Sequence, residues 1–362
     1  MKLAIVCDDL VQKGGAEKLI FGILEMWPEA TLFAPVISEE WQSVLKNRNV
    51  QFKTSFLQKF PNYKKFDKLY AVFFLQILAI EDFNFDEFDV VLSVSARFAH
   101  GVVTKPSTIH VCYMNSPGRM IWNIVDYSKN STLLSMVAFP LRMWDSVASR
   151  RPDYFIANSK NVEKRIKKYY RRNSTIIYPF FDLPILSTEI KKENYYLIVS
   201  RLQSWKRTEI ALDACVKLRE NLVVIGDGSQ LKNLKRKYSK YSNIKFLGYV
   251  SENEKIHYLQ KAKALLFTQE EDFGITPVEA LSQGAKVIAY KKGGTLETLN
   301  ASTAVFFSSQ NAESLIEAMK SAEHKKFEHN DFQIQASKFT KDRFKESLYG
   351  FINDIYLKNK NI

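Results

Sequence analysis

Residues 194–200, NYYLIVS, restart a pattern that the first half of the chain has already run through. The run is short, apolar, rich in aliphatic and aromatic residues, and polar at both ends. Such a run reads as a parallel strand buried on both faces. Four more follow it: NLVVIGDG (221–228), NIKFLGYV (243–250), AKALLFT (262–268) and AKVIAY (285–290). Six precede it: KLAIVC (2–7), ATLFAP (30–35), DVVLSVS (89–95), IHVCYMN (109–115), DYFIANS (153–159) and STIIYP (174–179). Each is followed by a helical or loop stretch. Between the two blocks, PFFDLPILSTEIKKEN (179–194) contains Pro179 and Pro184 and ends in charge, so it reads as a linker over 181–193.

Alternating β and α in two blocks predicts an α/β protein of two doubly wound, Rossmann-like domains, 1–180 and 194–337. Ligands of such sheets sit beyond the carboxyl ends of the strands, so two domains facing each other would frame a cleft there. In the tail, Phe339, Phe344, Leu348, Phe351 and Ile355 recur near helical spacing. They predict an amphipathic helix over 338–362 that packs back towards the first domain.

The whole chain sets limits around this reading. A length of 362 residues exceeds one ordinary core and suits two. No stretch approaches the ~20 apolar residues of a spanning helix. The opening MKLAIVCDDL has acids where a signal peptide needs a longer apolar core, so it reads as a first strand. Cys7, Cys112 and Cys215 are odd in number and far apart, which gives neither a disulfide framework nor zinc spacing and fits a reducing cytoplasm. A net charge of +13 is compatible with a plain basic surface, an anionic membrane or nucleic acid.

Four stretches could carry chemistry. In DDLVQKGGAEKLIFGIL (8–24), Gly14 and Gly15 precede a helix, where amides without side chains in the way can approach an anion. The spacing is not that of a dinucleotide fingerprint, which disfavours a Rossmann oxidoreductase. In VSRLQSWKR (199–207), Arg201 and Lys206 leave a strand end together and suit a diphosphate. In VVIGDGSQL (223–231), Gly226, Asp227 and Gly228 either approach a nucleotide or make a tight turn. In EEDFGITPVEALSQG (270–284), Glu271 and Glu279 flank a glycine turn and a helix start. Thr276 can cap that helix, Pro277 fits its first turn, and Glu279 then falls in the first turn as well. A carboxylate accepts two hydrogen bonds from vicinal hydroxyls, so two of them around a phosphate-binding turn suit a nucleotide sugar. No Asp-x-Asp pair or His/Cys cluster asks for a metal, and Asp8 with Asp9 reads as a strand end.

These motifs resemble, over essentially the whole chain, retaining glycosyltransferases of family four, which have the GT-B fold. More narrowly, IHVCYMNSPGRMIWN (109–123), PDYFIANSKNVEKRIKKYY (152–170), VSRLQSWKR and EEDFGITPVEALSQGAKVIAYKKGGTLET (270–298) are similar to bacterial mannosyltransferases of O-antigen and polysaccharide assembly. The resemblance implies that Arg201 and Lys206 neutralise the donor diphosphate, that Glu279 binds the nucleotide ribose and that Glu271 contacts the donor sugar. It implies that the backbone from Phe273 through Gly274 and Ile275 to Thr276 helps hold sugar and phosphate, that Gly14 and Gly15 let the first loop approach the phosphates, and that Gly226 lies on the donor side. On the acceptor side it points to Asn115, Arg119, Trp122 and His100. Two positions depart from the pattern: relatives often carry histidine where this chain has Ala96 and Asn115, and His100 falls where they tend to have lysine. The implied donor is GDP-mannose, with a UDP-sugar as the alternative, no metal or other cofactor, and a lipid-linked glycan as acceptor.

Aromatic and basic residues interleave in FKTSFLQKFPNYKKFDKLYAVFFLQ (52–76), with Lys53, Lys59, Lys64, Lys65 and Lys68 among Phe52, Phe56, Phe60, Tyr63, Phe66 and Tyr70. RRPDYFIANSKNVEKRIKKYYRRN (150–173) adds a second basic cluster. Such segments suit an anionic membrane interface or single-stranded nucleic acid, or are solvated basic helices. The resemblance favours the membrane and no nucleic acid, and implies a peripheral protein on the inner face of the cytoplasmic membrane.

Overall fold

The computed structural model describes residues 1–12, 14–60, 63, 74–122 and 132–360, with the side chains of 120 and 132–137 outside the description. The chain forms two units: Met1–Tyr178 with Asp342–Ile362, and Pro179–Lys341.

Unit 1 holds a seven-stranded sheet of β1 (Leu3–Cys7), β2 (Thr31–Ala34), β3 (Phe52–Thr54), β4 (Val90–Ser95), β5 (Ile109–Met114), β6 (Tyr154–Ala157) and β7 (Thr175–Ile176), in the order β3-β2-β1-β4-β5-β6-β7. Unit 2 holds six strands, β8 (Tyr196–Val199), β9 (Leu222–Ile225), β10 (Ile244–Gly248), β11 (Ala264–Phe267), β12 (Val287–Tyr290) and β13 (Ala304–Phe307), in the order β10-β9-β8-β11-β12-β13. Every pairing is parallel. The two doubly wound domains expected from the sequence are therefore present, each reversing its strand order once. The reversals lie between β1 and β4 and between β8 and β11, where such sheets open a crevice for ligands.

Central strands β1, β4, β9 and β11 are buried along their whole length, which is why their sequences lack alternation. Two strands lie outside the runs read from the sequence. β3 is a half-exposed edge of three residues inside the lysine-aromatic stretch, and β13 lies within STAVFFSS.

The last helix, Lys341–Lys360, buries Phe344, Leu348, Ile352 and Ile355. Phe344 meets the Tyr113 ring edge-on at 6.1 Å and Phe351 meets Tyr154 at 6.2 Å, so the helix is part of unit 1.

The segment read as a linker is instead fixed to unit 2. Phe180, Phe181 and Leu183 are buried, Leu186 N–H donates to Ser282 O (2.8 Å), and Gln283 Nε2 donates to Pro184 O (2.6 Å). Its prolines stiffen a packed strap rather than a free connection.

Candidate functional site

The β8/β11 reversal of unit 2 is built from two strand exits. β8 runs into Ser200 and Arg201, with Arg201 exposed at the strand end. Leu202 is fully buried, and its N–H donates to Asp227 O (2.8 Å). A short 3-10 turn, Ser204–Lys206, follows and places Lys206 half-buried. The ammonium lies over the Trp205 ring, 4.1 Å from its centroid.

β11 exits through Thr268, whose hydroxyl donates to Lys206 O (3.1 Å) and so ties the two exits together. Glu271 comes next, and its carboxylate Oε1 accepts a hydrogen bond from Lys206 Nζ; both side chains are mostly buried. The Glu271 backbone is fixed in turn by Gly294 N–H, which donates to its carbonyl (2.8 Å). A Cβ on Gly294 would stand 2.4 Å from Phe273 Cα. The Gly-Gly of KKGGT is thus a packing requirement of the Glu271 loop.

The helix Ile275–Ser282 opens at Gly274, which is left-handed (φ 85°) and brings no side-chain cap. The expected cap, Thr276, lies inside the helix, and Glu279 moves from the first turn to the second. Only glycine turns this chain readily at that φ. A helix start without a side-chain cap leaves its first amides to other partners. The Phe273 side chain is buried against Phe339, ring centroids 5.3 Å apart, so only its backbone can face a ligand.

Glu279 is 5% exposed. A buried carboxylate needs a cation or donors. Lys255 supplies one: Nζ stands 3.0 Å from Glu279 Oε1 and 2.8 Å from Glu252 Oε1. Burial lowers the Lys255 pKa, and the two carboxylates outweigh it, holding the ammonium above its ordinary value. Sequence reading missed Lys255. It sits in a helix whose start, Ser251 to Glu254, is a capping box, and nothing in the sequence ties it to a carboxylate 24 positions on.

Gly226 (φ 132°) packs against the β8 exit: an added Cβ would stand 1.8 Å from Ser200 O. The tight-turn reading accounts for it without a ligand. Gly15 is the opposite case. A Cβ there would meet nothing within 4 Å among the described residues, so their packing does not require glycine. Gly14 is extended (φ −175°), and the helix Gly15–Leu24 begins without a side-chain cap.

In unit 1 the β1/β4 reversal is occupied by the protein itself. The Asp8 carboxylate accepts four backbone N–H groups, from Ala96 (2.6 Å), Arg97 (2.9 Å), Phe98 (2.7 Å) and Ala99 (2.8 Å). Asp9 is buried and pairs with Arg97. The strand-end reading of these acids overlooked a clamp on the β4 exit.

The acceptor-side candidates fall in different settings. His100 is fully buried, with Nε2 3.3 Å from Asp145 Oδ1, Nδ1 3.3 Å from Ser95 Oγ, and its ring stacked on Tyr170. Trp122 donates to Asp145 Oδ2 (2.7 Å) and stacks on Tyr169 at 4.5 Å. Both are held within the packing of unit 1. Asn115 is half-buried at the end of β5, its N–H donating to Ser95 O (2.8 Å) and its carbonyl accepting from Asn158 Nδ2 (3.0 Å). Arg119 begins the short helix Arg119–Trp122 and is half-buried.

Among the described residues no group of three or more His, Cys, Asp or Glu is placed to hold a metal ion. All three cysteines are free and buried, and burial raises each thiol pKa, Cys215 to about 12. Such thiols are poor nucleophiles. No helix is long and apolar enough to cross a membrane among the described residues. Of the lysine-aromatic stretch, Lys64, Lys65, Phe66, Lys68 and Tyr70 lie outside the described residues. Tyr63 is buried, its hydroxyl accepting from Gln76 Nε2 (2.6 Å), while Phe56 and Phe60 are exposed.

Residues 186–339, all within unit 2, match the family model of glycosyl transferases group 1. The chain carries a glycosyltransferase domain. It is 23% identical over 313 residues to the mouse alpha-1,3/1,6-mannosyltransferase ALG2, covering 75% of this chain and 74% of that protein. It is 28% identical over 156 residues to an uncharacterized glycosyltransferase of Methanocaldococcus jannaschii, covering 42% of this chain and 44% of that protein. The match to ALG2 of Dictyostelium discoideum spans 53% of that protein at 24% identity.

Among solved structures, Anabaena Alr3699/HepE in complex with UDP superposes with a TM-score of 0.71 at 17% identity, over 98% of this chain and 100% of that one. Sucrose-phosphate synthase from Thermosynechococcus elongatus superposes with a TM-score of 0.73 at 13% identity, over 99% and 100%. These likenesses, with the two parallel sheets, establish the GT-B fold for this glycosyltransferase.

Proposed function

We propose that this glycosyltransferase moves mannose from GDP-mannose, with retention of configuration, onto a lipid-linked glycan in cell-surface polysaccharide synthesis such as O-antigen assembly. The observation that carries the reading is the Lys206–Glu271 pair at the β8/β11 reversal, beside a helix start without a side-chain cap. A cation, helix amides and a carboxylate within one loop pair suit a sugar diphosphate. Arg201 at the same strand end adds a second positive group.

In the proposed reaction the acceptor hydroxyl attacks the anomeric carbon from the face that the nucleotide leaves. The bond from that carbon to the diphosphate oxygen breaks, the bond to the acceptor oxygen forms, and the acceptor proton passes to the departing phosphate. Lys206 and Arg201 offset the charge that develops on the diphosphate. Glu271 contacts the sugar and Glu279 accepts from the ribose hydroxyls. No metal enters this scheme. The protein would act as a peripheral protein on the inner face of the cytoplasmic membrane.

The mannosyl assignment is supported by the mannosyltransferases among the relatives. A UDP-sugar donor is the second reading, supported by the Anabaena protein, whose structure is a complex with UDP. Calorimetry with GDP, UDP and dTDP separates them: tighter binding of GDP is expected, and tighter binding of UDP overturns the donor assignment.

A further inference from the structure

The helix Thr132–Ala148 buries a carboxylate that takes no part in the donor site: Asp145 is 0% exposed. Such a group is costly unless donors surround it, and here they come from two different strand exits. From the β5 exit, Trp122 Nε1–H donates to Oδ2 (2.7 Å). From the β4 exit, His100 presents Nε2 to Oδ1 at 3.3 Å. Tyr170, at the end of the helix Lys160–Tyr170, is a further neighbour. Burial pushes its hydroxyl pKa up, and the Asp145 charge pushes it further. The two donor rings are fixed in turn. His100 stacks on Tyr170 with centroids 5.8 Å apart, and Trp122 stacks on Tyr169 at 4.5 Å.

The β5 exit depends on such an anchor. The helix Arg119–Trp122 has four residues. A single turn is unstable on its own, because nucleation fixes several dihedrals for one hydrogen bond. Its place therefore comes from side chains: Ile121 is buried in the core, and Trp122 reaches Asp145. Arg119 lies three residues before Trp122, one turn along the same face, so the tie on Trp122 also sets the backbone of Arg119. The β4 exit is held twice. The Asp8 carboxylate receives the amides of residues 96–99, and Asp145 faces His100 directly after them. Ser95 joins the two exits, with Oγ 3.3 Å from His100 Nδ1 and its carbonyl accepting from Asn115 N–H (2.8 Å).

We propose that Asp145 is a positioning residue of the sugar transfer: it ties the β4 and β5 exits to one helix and so sets the acceptor-side residues Asn115 and Arg119. It is too deeply buried to touch a substrate and acts through Trp122 and His100. The inference rests on the proposed sugar transfer and adds to it the group that holds the acceptor-side loops. Position, and not charge, is the property required. In Asp145→Asn the amide oxygen can keep the Trp122 bond while the amide NH₂ faces His100. The imidazole answers by changing tautomer, with Nε2 accepting and Nδ1–H donating to Ser95 Oγ. Asparagine thus preserves both ties without the charge, whereas leucine, of similar size, removes both.

The test compares Asp145→Asn, Asp145→Leu, Trp122→Phe and the double variant Asp145→Leu, Trp122→Phe with wild type, all as the full chain. The indole N–H resonances of the five tryptophans, with Trp122 assigned by its loss in Trp122→Phe, read the tie itself. Calorimetry with GDP and UDP reads the nucleotide site. Transfer of radiolabelled sugar from GDP-mannose or UDP-glucose into a chloroform–methanol lipid extract of the source cells reads the reaction. In Asp145→Leu the Trp122 resonance is expected to move upfield and exchange faster with solvent, with nucleotide affinity unchanged. Transfer is expected to fall on the order of 100-fold, the loss that a displacement of about 1 Å can cause. Asp145→Asn is expected to keep the resonance and most of the transfer. The double variant is expected to lose no more than Asp145→Leu alone, because both changes remove one tie. Should Asp145→Leu fail to fold, Asp145→Asn and Trp122→Phe carry the decision, the first keeping transfer and the second losing it. The proposal is overturned by an unmoved Trp122 resonance or undiminished transfer in Asp145→Leu, by additive losses in the double variant, or by undiminished transfer in Trp122→Phe. A loss in Asp145→Asn as large as in Asp145→Leu would assign the role to the charge and overturn it as well. A wild type that transfers from neither donor would instead overturn the sugar transfer itself, and this proposal with it.

Discussion

Replacing Lys255 by methionine tests whether the buried carboxylate of Glu279 is a working part of the nucleotide site. Lys255 is mostly buried, Glu279 is more deeply buried, and the two stand 3.0 Å apart. At an effective dielectric near 20, two unit charges at that distance attract by about 5–6 kcal/mol. Desolvation of both groups offsets much of this, and removing one partner of a buried pair typically costs about 3–5 kcal/mol. Lys255 also shares its charge with the half-exposed Glu252, so the lower end, about 3 kcal/mol, is the expected loss of unit 2 stability in Lys255→Met.

The functional loss should differ in kind. If Glu279 accepts from the two ribose hydroxyls, its geometry matters more for a ribonucleotide than for its 2′-deoxy counterpart. Lys255→Met should weaken nucleoside diphosphate binding by about tenfold, the equivalent of one lost charge-assisted hydrogen bond of about 1.5 kcal/mol. It should also shrink the preference for ribose over deoxyribose. Lys255→Arg should restore both in part. Calorimetry with ribo- and deoxyribonucleotides, alongside thermal unfolding, reads all of this. The reasoning fails if Glu279→Gln abolishes the ribose preference while Lys255→Met leaves it intact. It fails at an earlier step if Glu279→Gln has no effect on nucleotide binding.

The remaining predictions each isolate one element. Lys206→Met should lower turnover by about 10²–10³ while the protein stays folded, read by steady-state kinetics and circular dichroism. Gly15→Ala should leave the melting temperature unchanged, because an added Cβ meets nothing within 4 Å among the described residues, yet lower activity if the donor approaches that loop. Asp8→Asn should destabilise unit 1 by about 2–4 kcal/mol in thermal unfolding, since an amide NH₂ turned towards four backbone donors cannot replace a carboxylate. Burial lowers the Lys192 pKa to about 8, partly countered by Glu189. The unfolded chain therefore holds this proton more tightly, the cost of burying the charge is full below pH 8, and it fades as pH rises towards 10.5. Lys192→Met should accordingly raise the melting temperature at pH 6–7, lose that advantage progressively above pH 8 and have lost it by about pH 10.5.

The fold was legible because its signal is local. Runs such as LAIVC and VVLSVS are buried on both faces of a parallel sheet and need no partner to be recognised. β3 was hidden because an edge strand of three half-exposed residues among lysines has no such signature. The candidate donor-side residues Lys206, Glu271 and Glu279 were visible from their motif, but their partners were not. Lys206 meets Glu271 across 65 positions, and Glu279 meets Lys255 across 24. His100 and Trp122 show the converse. Each residue type suits a site, but both turn to the buried carboxylate of Asp145, whose place in the core no motif announces.

The two sheets repeat one strand order around their reversals, yet the chemistry at the two points has opposite sign. At β1/β4 the amides of residues 96–99 already receive an anion, the Asp8 side chain, and Asp9 holds the neighbouring arginine. A phosphate brought to those amides would meet a carboxylate at hydrogen-bond range and would have to displace it from four donors. At β8/β11 the helix begins at a glycine without a side-chain cap, and the charge beside it is the ammonium of Lys206. Its partner Glu271 is a carboxylate that a diphosphate can compete with, because a multiply charged anion draws more strongly on an ammonium than one carboxylate does. The same fold can therefore close one reversal with its own chain and leave the other able to take an anion. That difference, rather than the shared topology, is the physical reason for the proposal that phosphate chemistry belongs to unit 2.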